Sequence, residues 1–438
     1  MAVESAAVPL DRRVESLKHR RLLLSALSGS AIEWYDFGLY GLLAPAIFDR
    51  LFFPRSSPLI GTILVMSIFA VGFIGRPVGG LVFAHFGDKI GRKPMMVVTM
   101  SLIGIASTLM GCIPPYHRIG IAAPIILTVL RFIQGCALGG ESTGAPILTM
   151  ESAPQGRRGL FASIAQMGAA IGAIMASLAA QTVSFLPPDE LMSWGWRLPF
   201  LASIIIVGIG LYIRIKVDES PAFVKRTKEA GVARIPLLEV LRRAPKPALI
   251  VFLCALAESS IAFLQGIFGL QYGVATLHIP RTVLLQGGLI GGVLSLFVGP
   301  SMGWLSDKVG RRPLMLTGFV LAALWIGFAF FELLYTRHPF VVMAAMAFSP
   351  AVLTPLTLCV EGSFYAELFT DARLRYSGNT LGRQFGTAFG GGLMPVIATS
   401  LVAAMGGSLW GIKAYFCFLA LLAIGAVLVA PETKDRKV

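Results

Sequence analysis

The chain has 438 residues, of which 55% are hydrophobic and only 14% charged, and its mean hydropathy is +0.76. A soluble domain carries roughly 25% charged residues, so this composition excludes one and indicates an integral membrane protein. The formal net charge of +14 does not signal nucleic acid, because the basic residues lie in short stretches between long apolar runs.

Taken in order, the first twenty-one residues are polar and include Arg12, Arg13, Lys18, Arg20 and Arg21. The apolar run that follows is a full span, so no cleavable signal is expected. A helix needs ~20 apolar residues to cross ~30 Å of hydrocarbon. Runs of about that length recur near residues 22–48, 59–84, 94–113, 120–145, 160–182, 197–214, 247–272, 283–305, 314–334, 340–360, 376–403 and 411–430. The pattern predicts an all-α membrane protein with twelve transmembrane helices; barrel strands would be shorter and alternating. With alternate connections on opposite sides, 27 of the 37 Lys/Arg fall on the side of the two termini and seven on the other. That bias marks the cytoplasmic side, so both termini are expected in the cytoplasm and the protein in the cell inner membrane.

The stretch "FGDKIGRKP" at Phe86–Pro94 returns as "LSDKVGRRP" at Leu305–Pro313, an offset of 219 residues, half the chain length. Each copy follows the second span of its half. Two pseudo-symmetric six-helix halves are therefore predicted, at residues 22–214 and 247–430, with a cytoplasmic N-terminal tail at 1–21, a linker at 215–246 and a cytoplasmic C-terminal tail at 431–438. The segment Arg214–Lys246 holds nine Lys/Arg and four acids and is too short to bury a core of its own. Two similar helix sets can rock about one midplane site, and Gly75 with Gly79, and Gly168 with Gly172, have the spacing of close helix crossings. In each repeated loop a glycine ends one helix and a proline suits the first turn of the next. Asp88 with Arg92, and Asp307 with Arg311, can pair with each other or with a neighbouring helix end. These four are the expected cytoplasmic gate.

This repeated loop resembles the signature of the major facilitator superfamily. "SAIEWYDFGLYG" at Ser30–Gly41, "GRPVGGLVFAHFGDKIGRKP" at Gly75–Pro94, "LRFIQGCALGGE" at Leu130–Glu141, "SWGWRLPF" at Ser193–Phe200 and "DESPAF" at Asp218–Phe223 are similar to the metabolite:proton symporter family. "AELFTDARLRYSG" followed by "FGGGLMPVIATSL", Ala366–Leu401, looks most like its shikimate transporter branch. The resemblance covers nearly the whole chain. It implies a secondary carrier working by alternating access, with protons as the coupling ion and no other cofactor.

An ionisable group inside a span is costly unless paired or hydrated, so each is a functional candidate. Glu33 and Asp36 lie three residues apart on span 1, with Tyr40 one turn on, and therefore share a face. At 1.5 Å per residue they are ~16 and ~21 Å deep. They are the expected proton carriers, although they could instead hold arginines of neighbouring helices. Arg131, ~16 Å into span 4 with Gln134 one turn away, offers a forked donor set to a substrate carboxylate or to those acids. The resemblance implies a role for Arg131 in proton coupling. Arg76, in the far third of span 2, is a second anion contact or a partner for the gate. In the second half Glu258, with Gln265 two turns on, is the counterpart of the span 1 acids. Arg383 stands where the family places an aromatic; it is expected to bridge to Glu361 or Glu367, or to meet an additional anionic group on the substrate.

Five scattered cysteines without C-x-x-C spacing read as core residues, and the five histidines lie at or beyond span ends, so no metal site is expected. "GESTG" at Gly140–Gly144 matches a hydrolase pattern without its strand context or a buried histidine, and no P-loop is present. The chain is expected to be a monomeric carrier, not an enzyme, taking up a small organic anion with protons. A shikimate-like carboxylate comes first, then a di- or tricarboxylate such as 2-oxoglutarate or citrate, then a zwitterionic osmolyte. A channel or a non-transporting nutrient sensor is the reading from another class, and no feature favours it.

Overall fold

The computed structural model describes residues 8–436 apart from Gly91 and residues 142–146, 148, 151–152, 155 and 216–235. The side chains of Asp88, Arg92 and Glu141 also lie outside the described set. Among the described residues nine helices are long and apolar enough to cross a membrane, and a bent pair, Pro188–Gly195 with Arg197–Tyr212, makes a tenth crossing at 43°. Two further helices complete the twelve. In chain order they are α1 (Val8–Phe52), α2 (Pro58–Ile90), α3 (Arg92–Cys112), α4 (Ala122–Glu141), α5 (Arg158–Ser184) and α6 (Arg197–Ile215). The second half has α7 (Pro245–Ala275), α8 (Arg281–Val309), α9 (Arg311–Tyr335), α10 (Pro339–Leu368), α11 (Leu374–Ala404) and α12 (Trp410–Val429).

Helices run past the apolar stretches that announce them. The first begins at Val8, so the basic segment expected as a tail continues the helix, and α10 extends to Leu368. Hydropathy marks where hydrocarbon ends, whereas backbone hydrogen bonding continues wherever the local sequence tolerates a helix. The linker contains its own short helix, Pro236–Arg243, with Glu239 and Arg243 paired one turn apart at 3.3 Å.

Small residues set the closest contacts. A Cβ on Gly75 or Gly79 would meet the backbone of α4 at Phe132 and Cys136, and one on Gly168 or Gly172 would meet the α1 backbone at Leu27 and Ala31. The predicted glycine pairs thus fall at the α2/α4 and α1/α5 crossings, where van der Waals packing must hold helices that lipid solvates equally well. Between the halves, α5 packs along α8 and α2 against α11. The second half carries a wider π-helical turn in four of its spans: Leu264–Gly269, Trp325–Ala329, Ser349–Leu353 and Ala388–Gly392. Such turns are strained insertions that cluster at functional positions.

Candidate functional site

The intramembrane charges meet where the two halves face each other. On α1, Glu33 and Asp36 both point inward but take different partners. Glu33 accepts from Arg76 of α2 at 3.2 Å, each side chain being 8% exposed. Asp36 Oδ1 accepts from the Ser203 hydroxyl of α6 at 2.8 Å. Arg131 of α4 is fully buried and donates through Nη1 to Gln134 at 2.5 Å; Gln134 in turn donates to Ser107 of α3 at 2.6 Å. The Arg131 guanidinium lies 4.0 Å from the Tyr40 ring and 4.5 Å from Phe37, and Arg76 lies 4.4 Å from Phe37. Phe37 therefore serves two cations, which aromatic faces attract most strongly when water is excluded. Arg131 Nε and Nη2 and Asp36 Oδ2 are buried and have no hydrogen-bond partner among the described residues. Arg76, expected as an anion contact or gate partner, is instead engaged by Glu33.

In the second half, Arg383 of α11 pairs with Glu361 of α10 at 2.9 Å, the first of the two bridges expected for it. The same carboxylate oxygen accepts from Gln166 of α5 at 3.0 Å, a bond between the halves. Glu258 of α7, 7% exposed, lies within electrostatic reach of both Glu361 and Arg383. Across the boundary Arg383 also feels Glu33 and Arg76, so the two clusters form one network. Gln265 departs from its expected place: its amide donates to the Ala345 and Met346 carbonyls at 3.1 and 3.0 Å and accepts from the Trp325 indole at 2.9 Å. Every polar atom it has is spent tying α7 to α9 and α10, so it is a packing residue.

Around this network the halves touch on both sides. Arg281 donates to the Leu42 carbonyl at 2.5 Å, and Phe263 of α7 lies against Phe73 and Phe69 of α2 at 5.1 and 5.6 Å between ring centres. On the face that carries both termini, Asp307 makes both contacts open to it. It pairs with Arg311 at 2.8 Å and accepts the backbone N–H groups of Gly159 and Leu160, at the α5 N-terminus of the other half, at 2.8 and 3.0 Å. A carboxylate there also meets the positive end of the helix dipole. The helix break falls at Gly310, whose φ of 107° favours glycine. In the first copy Asp88 is in the last turn of α2 and Arg92 opens α3; their side-chain contacts lie outside the described residues.

Sequence reasoning missed what completes this face. Arg311 also reaches Glu367 at 3.3 Å. The segment after α12 docks here: Glu432 accepts from the N–H of Arg311 and Arg312 at 2.9 and 3.1 Å, Thr433 donates to Glu367 at 2.7 Å, and the Arg436 carbonyl accepts from Arg158 at 2.8 Å. Partial burial opposes ionisation of Glu432, but the N–H groups of Arg311, Lys434, Arg312 and Thr433 outweigh it and hold its carboxyl below the usual glutamate value. Gln166, Ser107 and Ser203 were missed too. An amide in mid-span was a readable signal for Gln166, whereas serines are too common in helices to stand out.

Known proteins place this arrangement. The family described as "Sugar (and other) transporter" matches residues 22–245. The chain is 36% identical to the shikimate transporter of Escherichia coli K12 over 95% of each chain. It is 33% identical to the inner membrane metabolite transport protein YhjE of the same strain, covering 99% of this chain and 100% of that one. To the glycine betaine/proline/ectoine/pipecolic acid transporter OusA of Dickeya dadantii it is 30% identical over 95% of this chain and 84% of that one. The crystal structure of a D-xylose-proton symporter superposes with a TM-score of 0.73 at 19% identity, covering 95% of this chain and 99% of that chain. The chain therefore belongs to the sugar (and other) transporter family of the major facilitator superfamily, and it is a multi-pass membrane transporter of a small molecule.

Proposed function

We propose that this transporter brings a small organic acid, a shikimate-like hydroxylated carboxylate, into the cell together with protons, with both termini in the cytoplasm. The observation that carries the reading is Arg131, a fully buried guanidinium with two donors unpartnered among the described residues. A buried charge with spare donors costs free energy, and a carboxylate presented to its fork would satisfy both at once. Arg76 and Arg383 are already held by Glu33 and Glu361, which favours a single carboxylate over a di- or tricarboxylate. The similarity to a shikimate transporter over 95% of the chain supports the same class.

Coupling follows from competition. Asp36 lies within the electrostatic reach of Arg131, and a substrate anion seated on that guanidinium withdraws its support from the Asp36 carboxylate. The carboxylate then takes up a proton, so each ligand favours the other. Glu33 and Arg76 hold the neighbouring charge in place while this happens. Asp307 and Arg311 close the cytoplasmic face by gripping the end of α5, and opening that face breaks these bonds.

The test is uptake of labelled shikimate by proteoliposomes under an imposed inward proton gradient, with and without a protonophore. Accumulation that the protonophore collapses is expected. Gradient-insensitive equilibration would overturn proton coupling. No uptake of shikimate, in protein that another organic acid stabilises against heat, would move the substrate to that acid.

A further inference from the structure

The arginine count differs between the halves in a way the coupling above does not use. In the N-terminal half two mid-span carboxylates, Glu33 and Asp36, face two guanidiniums, Arg76 and Arg131. In the C-terminal half two carboxylates, Glu258 and Glu361, lie within electrostatic reach of one guanidinium among the described residues, Arg383. All of these residues but Arg383 are buried by solvent exposure, Glu258 at 7% and Glu361 at 1%. Unmatched charge in such surroundings is costly, and one proton shared by two carboxylates that have a single counter-ion balances the charge of the group.

The geometry shows where that proton goes and what it changes. Glu361 Oε1 accepts from Arg383 and, across the boundary between the halves, from Gln166. Its other oxygen, Oε2, and the hydroxyl of Tyr365 one turn away are both buried with no hydrogen-bond partner among the described residues. That hydroxyl is close enough to donate to the ionised carboxylate, and by rotating it can instead accept from the protonated one. The ionisable groups facing Glu361 are Glu258 and Cys254 on α7, Arg383 on α11, and Tyr365 and Cys359 on its own helix, while α5 supplies the neutral Gln166. Arg76 and Glu33 lie beyond Arg383. The charges of α8 and α9, namely Arg281, Asp307, Lys308, Arg311, Arg312 and Glu332, sit at the ends of those helices.

We propose that Glu258 and Glu361 form a second proton-binding site, distinct from the one at Asp36. When Glu361 is ionised it clasps Gln166 of the opposite half; when it is protonated the charge-assisted part of that bond is lost and the halves are freed to rock. The proton enters as H⁺ and leaves as H⁺, and no other bond is made or broken. The site's place in the transport cycle rests on the proton-coupled reading, but the site itself does not.

Infrared spectroscopy of the protein in lipid vesicles tests it without substrate. The wild type should show a carboxyl C=O band that fades as pH is raised. That band should be lost in Glu361→Gln or in Glu258→Gln and kept in Asp36→Asn. A band unchanged in both glutamate variants, or none in the wild type, overturns the proposal. Glu361→Gln leaves Arg383 beside Glu258, one acid to one base, and Glu258→Gln, which keeps the Glu361–Arg383 pair, serves as the second variant where Glu361→Gln does not fold. Coupling is read from the reversal potential with shikimate: the Glu361→Gln protein should carry one proton fewer per substrate, and an unchanged ratio overturns the role in the cycle. If the vesicles take up no shikimate while the band behaves as stated, the organic-acid reading fails and the proton site stands.

Discussion

The two halves repeat one loop and one helix plan, yet they divide their charges differently. Among the described residues the first half has as many mid-span acids as arginines and leaves one guanidinium, Arg131, without a carboxylate in contact, whereas the second has two mid-span acids to one arginine, and its Glu361 is already bonded to the first half through Gln166. Duplication preserves what the fold needs, such as the gate loop and the small-residue crossings. The midplane is where the copies are free to diverge, and on our reading one came to hold the anion and the other an extra proton.

Substitutions that break this contrast come in a clear order of effect. Arg131→Ala should reduce gradient-driven accumulation to the background of protein-free vesicles, while the variant still unfolds cooperatively on heating; normal accumulation would place the anion elsewhere. Asp36→Asn should keep substrate exchange between the two sides but lose accumulation against a gradient, and unchanged pH dependence would relocate the first proton. Stability then sharpens the comparison. Glu33→Gln leaves Arg76 buried and unpaired, at a cost of about 3–5 kcal/mol, most of which Glu33→Gln/Arg76→Gln should recover. Glu258→Gln removes the surplus acid and should leave the melting temperature unchanged or higher, and a large loss would show that Glu258 is fully matched. Smallest for transport is Gln265→Leu: the apparent KM should not move, and only the lost hydrogen bonds, about 1–3 kcal/mol, should appear as reduced stability.

The acidity of Glu432 adds a pH control. Its carboxyl is held below the usual glutamate value, so its contribution to docking is fully present above that usual value and is lost only as pH falls through the lowered one. The docked tail should therefore not respond to pH near neutrality, where a coupling site must.

Much of this is legible in the amino-acid sequence. Hydropathy counts charges against apolar runs, and a membrane span tolerates few charges, so spans, halves and the inward-facing ionisable residues stand out. Glu33, Asp36, Arg76, Arg131, Glu258 and Arg383 all lie in the network because burying a charge anywhere else would be too costly. Partners were less legible. Arg76 could have met the gate, and it met Glu33; Gln265 reads as a site residue and is a strut between helices. Such choices depend on helix rotation over a few tens of degrees, which the apolar pattern of a span buried on most sides does not encode. The bend that opens α6 and the π-helical turns of the second half were silent for the same reason.

The docked segment after α12 also bears on how the protein is made. Arg311 leaves the ribosome 121 residues before Glu432, and Arg158 leaves it 278 residues before Arg436. Both halves must therefore be threaded into the bilayer while the loop at 305–313 still lacks its last partners. Closure of that face waits for Glu432, so chains arrested before Glu432 should enter the membrane yet remain more open to protease at this loop than chains that carry it.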